Sequence, residues 1–247
     1  MQPKSVLPST WEVPEQFHNR LGSGPGRQRA MFADGHLLLV LHAPPKPDQE
    51  DRVGRIFWRN PEGEWRTTEQ GTGQAAIERH LAEYSEAIDE MEQREHSASV
   101  AEDYFAVVEN LAPIQRAAKN LHQVFQDARQ LLPNLREIIN YRDSAYNIER
   151  TAELLYNVSK TGLDFAIARR AEEQAQASQK MATASHRLNI LVAFFFPLAT
   201  LTSLFGTNLK NGLENDPGPW PFFILLVSGL VAGAILTAFI TGRRDST

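Results

Sequence analysis

The sequence predicts a mostly α-helical membrane protein, with a small N-terminal α/β domain and a very long stalk helix that runs into the first of two transmembrane helices. Two uncharged apolar runs, at residues 190–205 and 222–241, carry this prediction. At a rise of ~1.5 Å per residue, helices of this length approach the ~30 Å hydrocarbon core of a bilayer. The long region before residue 190 is mainly polar, so the chain divides into a cytosol-facing part and a membrane hairpin.

Composition narrows the possible function classes. The chain has no cysteine, which excludes disulfides, thiolate metal sites and cysteine nucleophiles. It has no phosphate-binding glycine loop and no nucleophile or metal-ligand motif, so we expect it not to be an enzyme. Nine acidic residues and two arginines lie between residues 77 and 103. Such a surface repels nucleic acid and attracts cations, and it is also typical of a solvated helix face.

Basic residues beside the apolar runs predict the orientation in the membrane. Lys180 and Arg187 precede the first run, Arg243 and Arg244 follow the second, and only Lys210 lies between them. Because basic residues near the spans stay on the cytoplasmic side, we expect both termini there. The first thirty residues contain no apolar segment typical of a signal peptide, so we expect the N-terminal part to remain on the side of synthesis.

The N-terminal third predicts a small sheet. Residues 1–30 carry many prolines and glycines and little apolar periodicity, so we expect an irregular arm. The apolar run 36–42 is typical of a buried strand. Residues 55–59 and 64–68 flank a Pro-Glu-Gly segment that suits a type I turn, which predicts a hairpin. Three strands cannot close a large core, so we expect the following helices to cover them.

Two ordinary helices are predicted next. Apolar residues recur every three or four positions from residue 76 to 91 and from 104 to 128. Pro113 predicts a kink or break in the second helix. His80 and His122 fall in the apolar stripes without a second ligand at a metal-binding spacing, so both are expected to be packing residues.

A third helix is expected to be exceptionally long. Between Pro133 and Pro197 there is no proline, and Gly162 is the only glycine, so residues 134–205 can form one helix of roughly 110 Å. Its first part carries an irregular heptad-like stripe, which indicates coiled-coil packing. Residues 169–185 are mostly small and polar, which suits either close helix neighbours around a wet axis or a solvated tether.

These elements define the predicted organisation. The boundaries are an irregular arm at 1–30, a cytoplasmic domain with a small sheet and acidic helices at 31–133, a stalk helix at 134–187, a first transmembrane helix at 188–206, an external loop at 207–220, a second transmembrane helix at 221–241 and a cytoplasmic tail at 242–247. Gly229 and Gly233 form a Gly-x-x-x-Gly pattern in the second span, which predicts close helix packing.

The apolar hairpin also carries a recognisable motif. Phe195-Phe-Pro-Leu198 followed by Phe205-Gly-Thr-Asn208 resembles the proline-leucine segment and the Gly-Met-Asn signature of the CorA family of divalent-cation transporters. Residues 111–116 and 135–150 are similar to the family's helix start and to the beginning of its stalk helix. Thr207 stands where the signature has methionine, similar to the variant triplets of the zinc-transporting branch.

The resemblance implies a divalent-cation channel or transporter of the bacterial inner membrane. The protein is then a funnel-like homopentamer in the lipid bilayer, with a pore lined by the first transmembrane helix and gated by the cytoplasmic helices. Its substrate is Mg²⁺ or a related ion such as Zn²⁺, and no other cofactor is implied. The alternative is a non-conducting, membrane-anchored scaffold that keeps the fold, because Thr207 departs from the signature and the N-terminal domain is short.

If the first span lines a pore, the residues that face the pore can be assigned. Steps of three or four residues form a face with small polar ends and an apolar middle, at Ser185, Leu188, Val192, Phe196, Ala199 and Ser203. This face leads to Gly206-Thr207-Asn208, where Asn208 offers neutral oxygens to a hydrated cation and Gly206 permits a positive φ. The same triplet is also typical of an ordinary helix C-cap.

Acidic residues supply two further candidate sites. Glu214 and Asp216 in the external loop are expected to raise the local cation concentration. A regulatory cation site is predicted on the acidic helix, at Asp89, Glu90, Glu92 and Glu95.

Overall fold

A computed structural model of the chain describes residues 6–24, 26–47, 52–206 and 219–242, which belong to two compact units, Met1–Ala168 and Arg169–Thr247. The elements in chain order are α1 (Glu15–His18), β1 (Arg29–Ala33), β2 (His36–His42), β3 (Gly54–Arg59), β4 (Trp65–Thr67), α2 (Gly73–Ser97), α3 (Ala101–Leu131), α4 (Arg136–Phe205) and α5 (Trp220–Gly242). The chain is therefore mostly helical, with a small N-terminal sheet and one very long helix, as predicted.

The sheet is an antiparallel meander in the order β1-β2-β3-β4. β2 pairs with β3 so that Leu39 lies opposite Phe57, which confirms the predicted strand at 36–42. β3 pairs with β4 so that Arg59 lies opposite Trp65, which confirms the predicted hairpin. The turn between β3 and β4 is closed by a hydrogen bond in which the Gly63 amide donates to the Asn60 carbonyl oxygen at 3.1 Å. Gly63 adopts a φ of 94°, which a side chain would disfavour.

β2 is buried on both faces. Leu37, Leu39 and Leu41 pack into the core formed with the helices. Leu38 and Val40 alternate with them and belong to a second cluster on the opposite face of the sheet. A strand covered on both sides needs a continuous apolar run, and this requirement explains why residues 37–41 lack the usual alternation of apolar and polar side chains.

The N-terminal segment covers the second face of the sheet. Leu7, Trp11 and Phe17 are buried in this cluster, and the Trp11 ring stacks on Trp58 at a centroid distance of 5.5 Å. The described part of the segment is largely irregular, as predicted, but it also contains α1, the start of β1 and three buried apolar anchors that the prediction lacked. The physical reason is that the sheet has two apolar faces and the helices cover only one.

β1 is the strand that the sequence pattern missed. Asp34 and Gly35 connect it to β2 with φ values of 50° and 82°, the pair of left-handed conformations required by a two-residue hairpin turn. Asp-Gly between apolar runs is a recognised signal of such a turn. This dipeptide could have predicted the fourth strand.

α3 continues through Pro113, so of the predicted kink or break the break is excluded, and the kink stays a prediction. Proline lacks an amide hydrogen, and the helix therefore forgoes one backbone hydrogen bond at this position. Leu111 and Ile114 on either side are buried in the core, and their packing keeps the segment helical. α4 likewise begins at Arg136 and continues to Phe205, which confirms the predicted long helix.

The beginning of α4 is fixed by the carboxylate of Glu137. Its Oε1 atom accepts hydrogen bonds from Trp65 Nε1 at 2.8 Å and from Arg59 Nε at 3.2 Å. Its Oε2 atom accepts a hydrogen bond from Gln74 Nε2 at 2.7 Å. One side chain thus ties α4 to both strands of the β3–β4 hairpin and to the first turn of α2.

His80 is a fully buried packing residue, as predicted. Its ring lies edge-on to Tyr84, with centroids 5.4 Å apart, and Arg55 Nη1 donates to its Nδ1 at 3.1 Å. Its Nε2 atom is buried without a hydrogen-bond partner among the described residues. Burial, with a smaller contribution from the charge of Arg55, lowers the pKa of His80 to about 3.

Acid should destabilise the first unit through His80. Its pKa is about 3 in the folded chain and 6.5 in a model peptide, so between these values the unfolded state binds more protons and stability falls as pH falls. One such proton corresponds to a slope of about 1.4 kcal/mol per pH unit. We expect His80→Gln, which keeps an acceptor for Arg55, to flatten this slope in urea unfolding followed by tryptophan fluorescence from neutral to mildly acidic pH.

The matched control for this experiment is His18→Gln, because His18 is exposed. This variant should retain the pH dependence of the parent chain. Equal slopes for His80→Gln and the parent chain would show that His80 does not sense acid.

Candidate functional site

In the second unit, the C-terminal part of α4 and all of α5 are apolar helices whose outward faces no other described element covers. Both are long and apolar enough to cross a membrane by length and composition, which agrees with the predicted spans. Their large side chains are widely exposed, including Phe196 at 63% and Phe239 at 66%. An exposed apolar surface of this extent requires an apolar environment or a partner.

The two apolar helices pack closely where α5 has its glycines. A Cβ atom at residue 229 would lie 2.8 Å from Leu198 Cδ1, and a Cβ atom at residue 233 would overlap the Phe194 carbonyl oxygen. At residue 233 only glycine permits this approach, because the atom that a Cβ would meet belongs to the backbone of α4, whereas at residue 229 the nearest atom is the end of the Leu198 side chain. The predicted role of Gly229 and Gly233 in helix packing is therefore confirmed.

α4 presents two opposite faces in this region. The partly buried face includes Phe194 and Leu198, which contact α5, and consists of Ile190, Ala193, Phe194, Pro197, Leu198 and Leu201. The six residues predicted to line a pore are all exposed, namely Ser185, Leu188, Val192, Phe196, Ala199 and Ser203. At 100° per residue the centres of these faces are separated by about 165°. The predicted pore face is thus the face that α5 leaves free.

Hydroxyl groups in the first span are bonded to their own helix. Thr200 Oγ1 donates to the Phe196 carbonyl oxygen at 2.8 Å, and Thr202 Oγ1 donates to the Leu198 carbonyl oxygen at 2.9 Å. These hydrogen bonds satisfy the threonine hydroxyl groups, which can then lie in an apolar environment. α4 also continues through Pro197, so the span is one helical segment up to Phe205.

The last described residue of the predicted ion-path mouth is Gly206. Its amide donates to the Thr202 carbonyl oxygen at 2.9 Å, and a Cβ atom there would lie 2.8 Å from the same oxygen. Glycine is therefore favoured by close approach, and Gly206 does not adopt the positive φ that it permits. Thr207, Asn208, Glu214 and Asp216 lie outside the described residues.

The predicted regulatory residues on α2 do not converge within one chain. Asp89, Glu90 and Glu92 are exposed, Glu90 pairs with Arg94 at 2.5 Å, and Glu95 lies 3.8 Å from His96. Among the described residues, no group of three or more His, Asp or Glu side chains could hold a metal ion.

A groove of about 650 Å³ separates α2 from α4 in the first unit. It is lined by the carboxylates of Glu78, Asp89 and Glu137 together with amides of Asn140 and Asn147. Of the four predicted regulatory residues only Asp89 lines it. Helical periodicity alone could have placed Glu78 and Asp89 on one face of α2, whereas the opposing wall comes from a helix that begins almost fifty residues later.

Comparisons with known proteins agree with this architecture. A family described as "CorA-like Mg2+ transporter protein" matches residues 30–244. A comparison with curated proteins found no match.

Two solved structures are similar to the chain. The full-length CmaX protein matches with a TM-score of 0.55 and 17% identity, over 95% of this chain and 82% of the other. The CorA magnesium transporter from Methanocaldococcus jannaschii matches with a TM-score of 0.38 and 14% identity, over 86% and 78% of the two chains. At these identities the first likeness concerns the fold alone.

The contact at Gly229 predicts a specific cross-link. A Cβ atom at residue 229 would lie 3.4 Å from Leu198 Cβ, close to the separation of about 3.8 Å that disulfides prefer. The chain has no cysteine, so the double variant Leu198→Cys/Gly229→Cys should form one intramolecular disulfide under mild oxidation. Gel mobility with and without reductant measures it.

The control pair is Leu198→Cys/Leu230→Cys, because Leu230 is exposed on another face of α5. This pair should remain reduced within each chain. Equal cross-linking of both pairs would contradict the described packing of the hairpin.

Proposed function

Because this chain belongs to the CorA-like Mg²⁺ transporter family, we propose that it conducts a divalent cation across the bacterial inner membrane through a ring of identical subunits. The observation that carries the proposal is the exposed face of α4, which lies opposite the face packed on α5. One helical hairpin cannot enclose a water path. Several copies that turn this α4 face inward can enclose a water path, and the family resemblance favours five copies.

The middle of the proposed pore is apolar. Leu188, Val192 and Phe196 are 60%, 50% and 63% exposed on the single chain, so their side chains are free to face a lumen. Rings of such residues close a pore by excluding water, and small movements of the helices open it. Ser185 lies before these rings, and Ala199 and Ser203 lie after them.

The proposed mouth of the ion path consists of Gly206, Thr207 and Asn208. Mg²⁺ dehydrates reluctantly, so a ring of amide oxygens from Asn208 suits a hydrated ion better than a carboxylate cage. Glu214 and Asp216 raise the concentration of cations outside the mouth. Both termini are cytoplasmic in this arrangement, which agrees with the positions of the basic residues.

A non-conducting scaffold is the second candidate function. Thr207 at the methionine position of the signature favours it. A scaffold retains the hairpin and the ring, and it shows no cation uptake.

Cation uptake into proteoliposomes decides between these functions. We expect the parent chain to take up Mg²⁺ or a related ion, and Asn208→Ala to reduce uptake by about tenfold or more, since ~1.4 kcal/mol of lost ion binding is a factor of ten. Phe196→Glu should abolish normal uptake, because a ring of carboxylates within the pore would bind the cation too tightly for it to leave. Asn211→Ala is the matched loop control and should retain uptake.

Chemical modification separates a pore defect from misfolding. Val192→Cys should conduct until a charged, water-soluble thiol reagent blocks it, whereas Leu198→Cys, which faces α5, should be insensitive. Absence of uptake by a correctly assembled parent chain for every divalent ion tested would establish the scaffold function.

We also propose that the acidic helix regulates the ring. Asp89, Glu90, Glu92 and Glu95 do not converge within one chain, so donors from two neighbouring copies have to meet for a cation to bind. A cation there offsets the repulsion between acidic surfaces. The cytoplasmic helices then respond to the ion concentration on their own side.

Mg²⁺ should therefore stabilise the detergent-purified ring. At a concentration one hundred times the Kd, binding adds about 2.7 kcal/mol to the free energy of unfolding. We expect a rise in Tm that is lost when the four carboxylates are replaced by their amides, and retained when Glu172 and Glu173 are replaced instead. An unchanged Tm at millimolar Mg²⁺ would contradict the regulatory proposal without affecting the uptake test.

A further inference from the structure

The first unit also contains a small cavity of about 290 Å³ between the sheet and α3. Its walls include Gln28, the end of β2 at His42, Arg52 before β3, and Arg116 and Asn120 on α3. Since one water occupies ~30 Å³, the cavity has room for about ten waters. It therefore suits a small ion with part of its hydration shell.

The charge of this cavity differs from that of the two other clefts in the first unit. The described residues of its wall include two guanidinium groups and no carboxylate, although the chain has a formal net charge of −5. The groove between α2 and α4 is lined by three carboxylates. A further cleft of about 890 Å³ combines Glu83, Glu86 and Glu90 with basic residues. Among the described lining residues of these three cavities, those of the smallest carry basic charges alone.

The two arginines have no acidic partner among the described residues. Arg116 Nε donates only to the carbonyl oxygen of Ala112 in its own helix, at 3.4 Å, and Arg52 forms no ion pair or hydrogen bond with the described part of the chain. Both side chains are exposed. Their guanidinium donors are therefore available to an anion.

The wall of the cavity includes two polar side chains, His42 and Gln28, that are hydrogen-bonded to the backbone. His42 is only 6% exposed, and its Nε2 donates to the Gly26 carbonyl oxygen at 2.7 Å. Burial is the main cause that lowers the pKa of His42, and the charge of Arg52 lowers it further. This interaction places Arg52 near the His42 ring. Gln28 Nε2, which donates to the Ala117 carbonyl oxygen at 3.0 Å, connects the sheet to α3 beside the cavity.

We propose that this cavity binds a small oxyanion of the phosphate class, held by Arg52 and Arg116. Guanidinium groups match the oxygen pairs of phosphate and form charge-assisted hydrogen bonds with them. The neutral His42 side chain and Asn120 complete a polar surrounding. The site lies in the first unit and is independent of the proposed ion path.

Direct binding of radiolabelled inorganic phosphate to the full chain in detergent tests the proposal. Equilibrium dialysis is made without divalent cations and at constant ionic strength. We expect saturable binding of one phosphate per chain, weakened about tenfold or more by Arg52→Gln or Arg116→Gln, because each variant loses a charged hydrogen-bond donor. Arg150→Gln removes an equal charge from an arginine that pairs with Glu153, outside the cavity, and should leave binding unchanged.

Two further arms define the ligand. If adenosine monophosphate displaces the radiolabelled phosphate, the site binds phosphate esters. If only unlabelled inorganic phosphate displaces it, the site binds free phosphate. Both results support the class proposed. The titration is repeated with Asp48, Glu50 and Asp51 replaced by their amides, since these residues stand close to Arg52 in the sequence. Absence of saturable binding in both backgrounds, equal displacement by chloride, or binding insensitive to both arginine variants would overturn the proposal.

Discussion

The first unit depends on one carboxylate that joins three separate parts of the chain. Glu137 accepts hydrogen bonds from Trp65, Arg59 and Gln74, so the beginning of α4 is held by the sheet and by α2 at once. A partly buried carboxylate with three donors is well satisfied, and removing it would leave those donors to find other partners. Movements of α4 near its start are therefore coupled mechanically to the β3–β4 hairpin.

The second unit depends on a different constraint, the absence of side chains at Gly229 and Gly233. Backbone contact with α4 at these positions uses one face of the first span, and the opposite face remains available for other copies of the chain. Packing within the hairpin and the proposed packing between hairpins thus use separate surfaces. A substitution on one surface can be studied without direct damage to the other.

Local patterns predicted most of the secondary structure. The apolar run of β2, the β3–β4 hairpin and the 70-residue α4 each follow from residues close together in sequence. The Asp34-Gly35 turn is an equally local signal, and it indicates the β1–β2 hairpin that the predicted sheet lacked. Local patterns could not predict contacts between distant segments. Examples are the packing of Leu7 and Trp11 in the cluster that contains Trp58, the hydrogen bonds to Glu137, and the groove beside Asp89. Each of these requires knowledge of which elements meet. The exposed face of α4 that we propose to line a pore followed from helical periodicity. Its use in conduction depends on other copies of the chain, whose arrangement the sequence does not display.

The meander order of the sheet has a consequence for biosynthesis. Every strand pairs with its neighbour in sequence, and such local pairings form quickly. The sheet is complete at Thr67, more than a hundred residues before the first apolar run. During vectorial synthesis the sheet can therefore form while the spans are still being translated. The insertion machinery then receives the apolar hairpin from a chain whose most aggregation-prone strand, β2, is already paired on both edges.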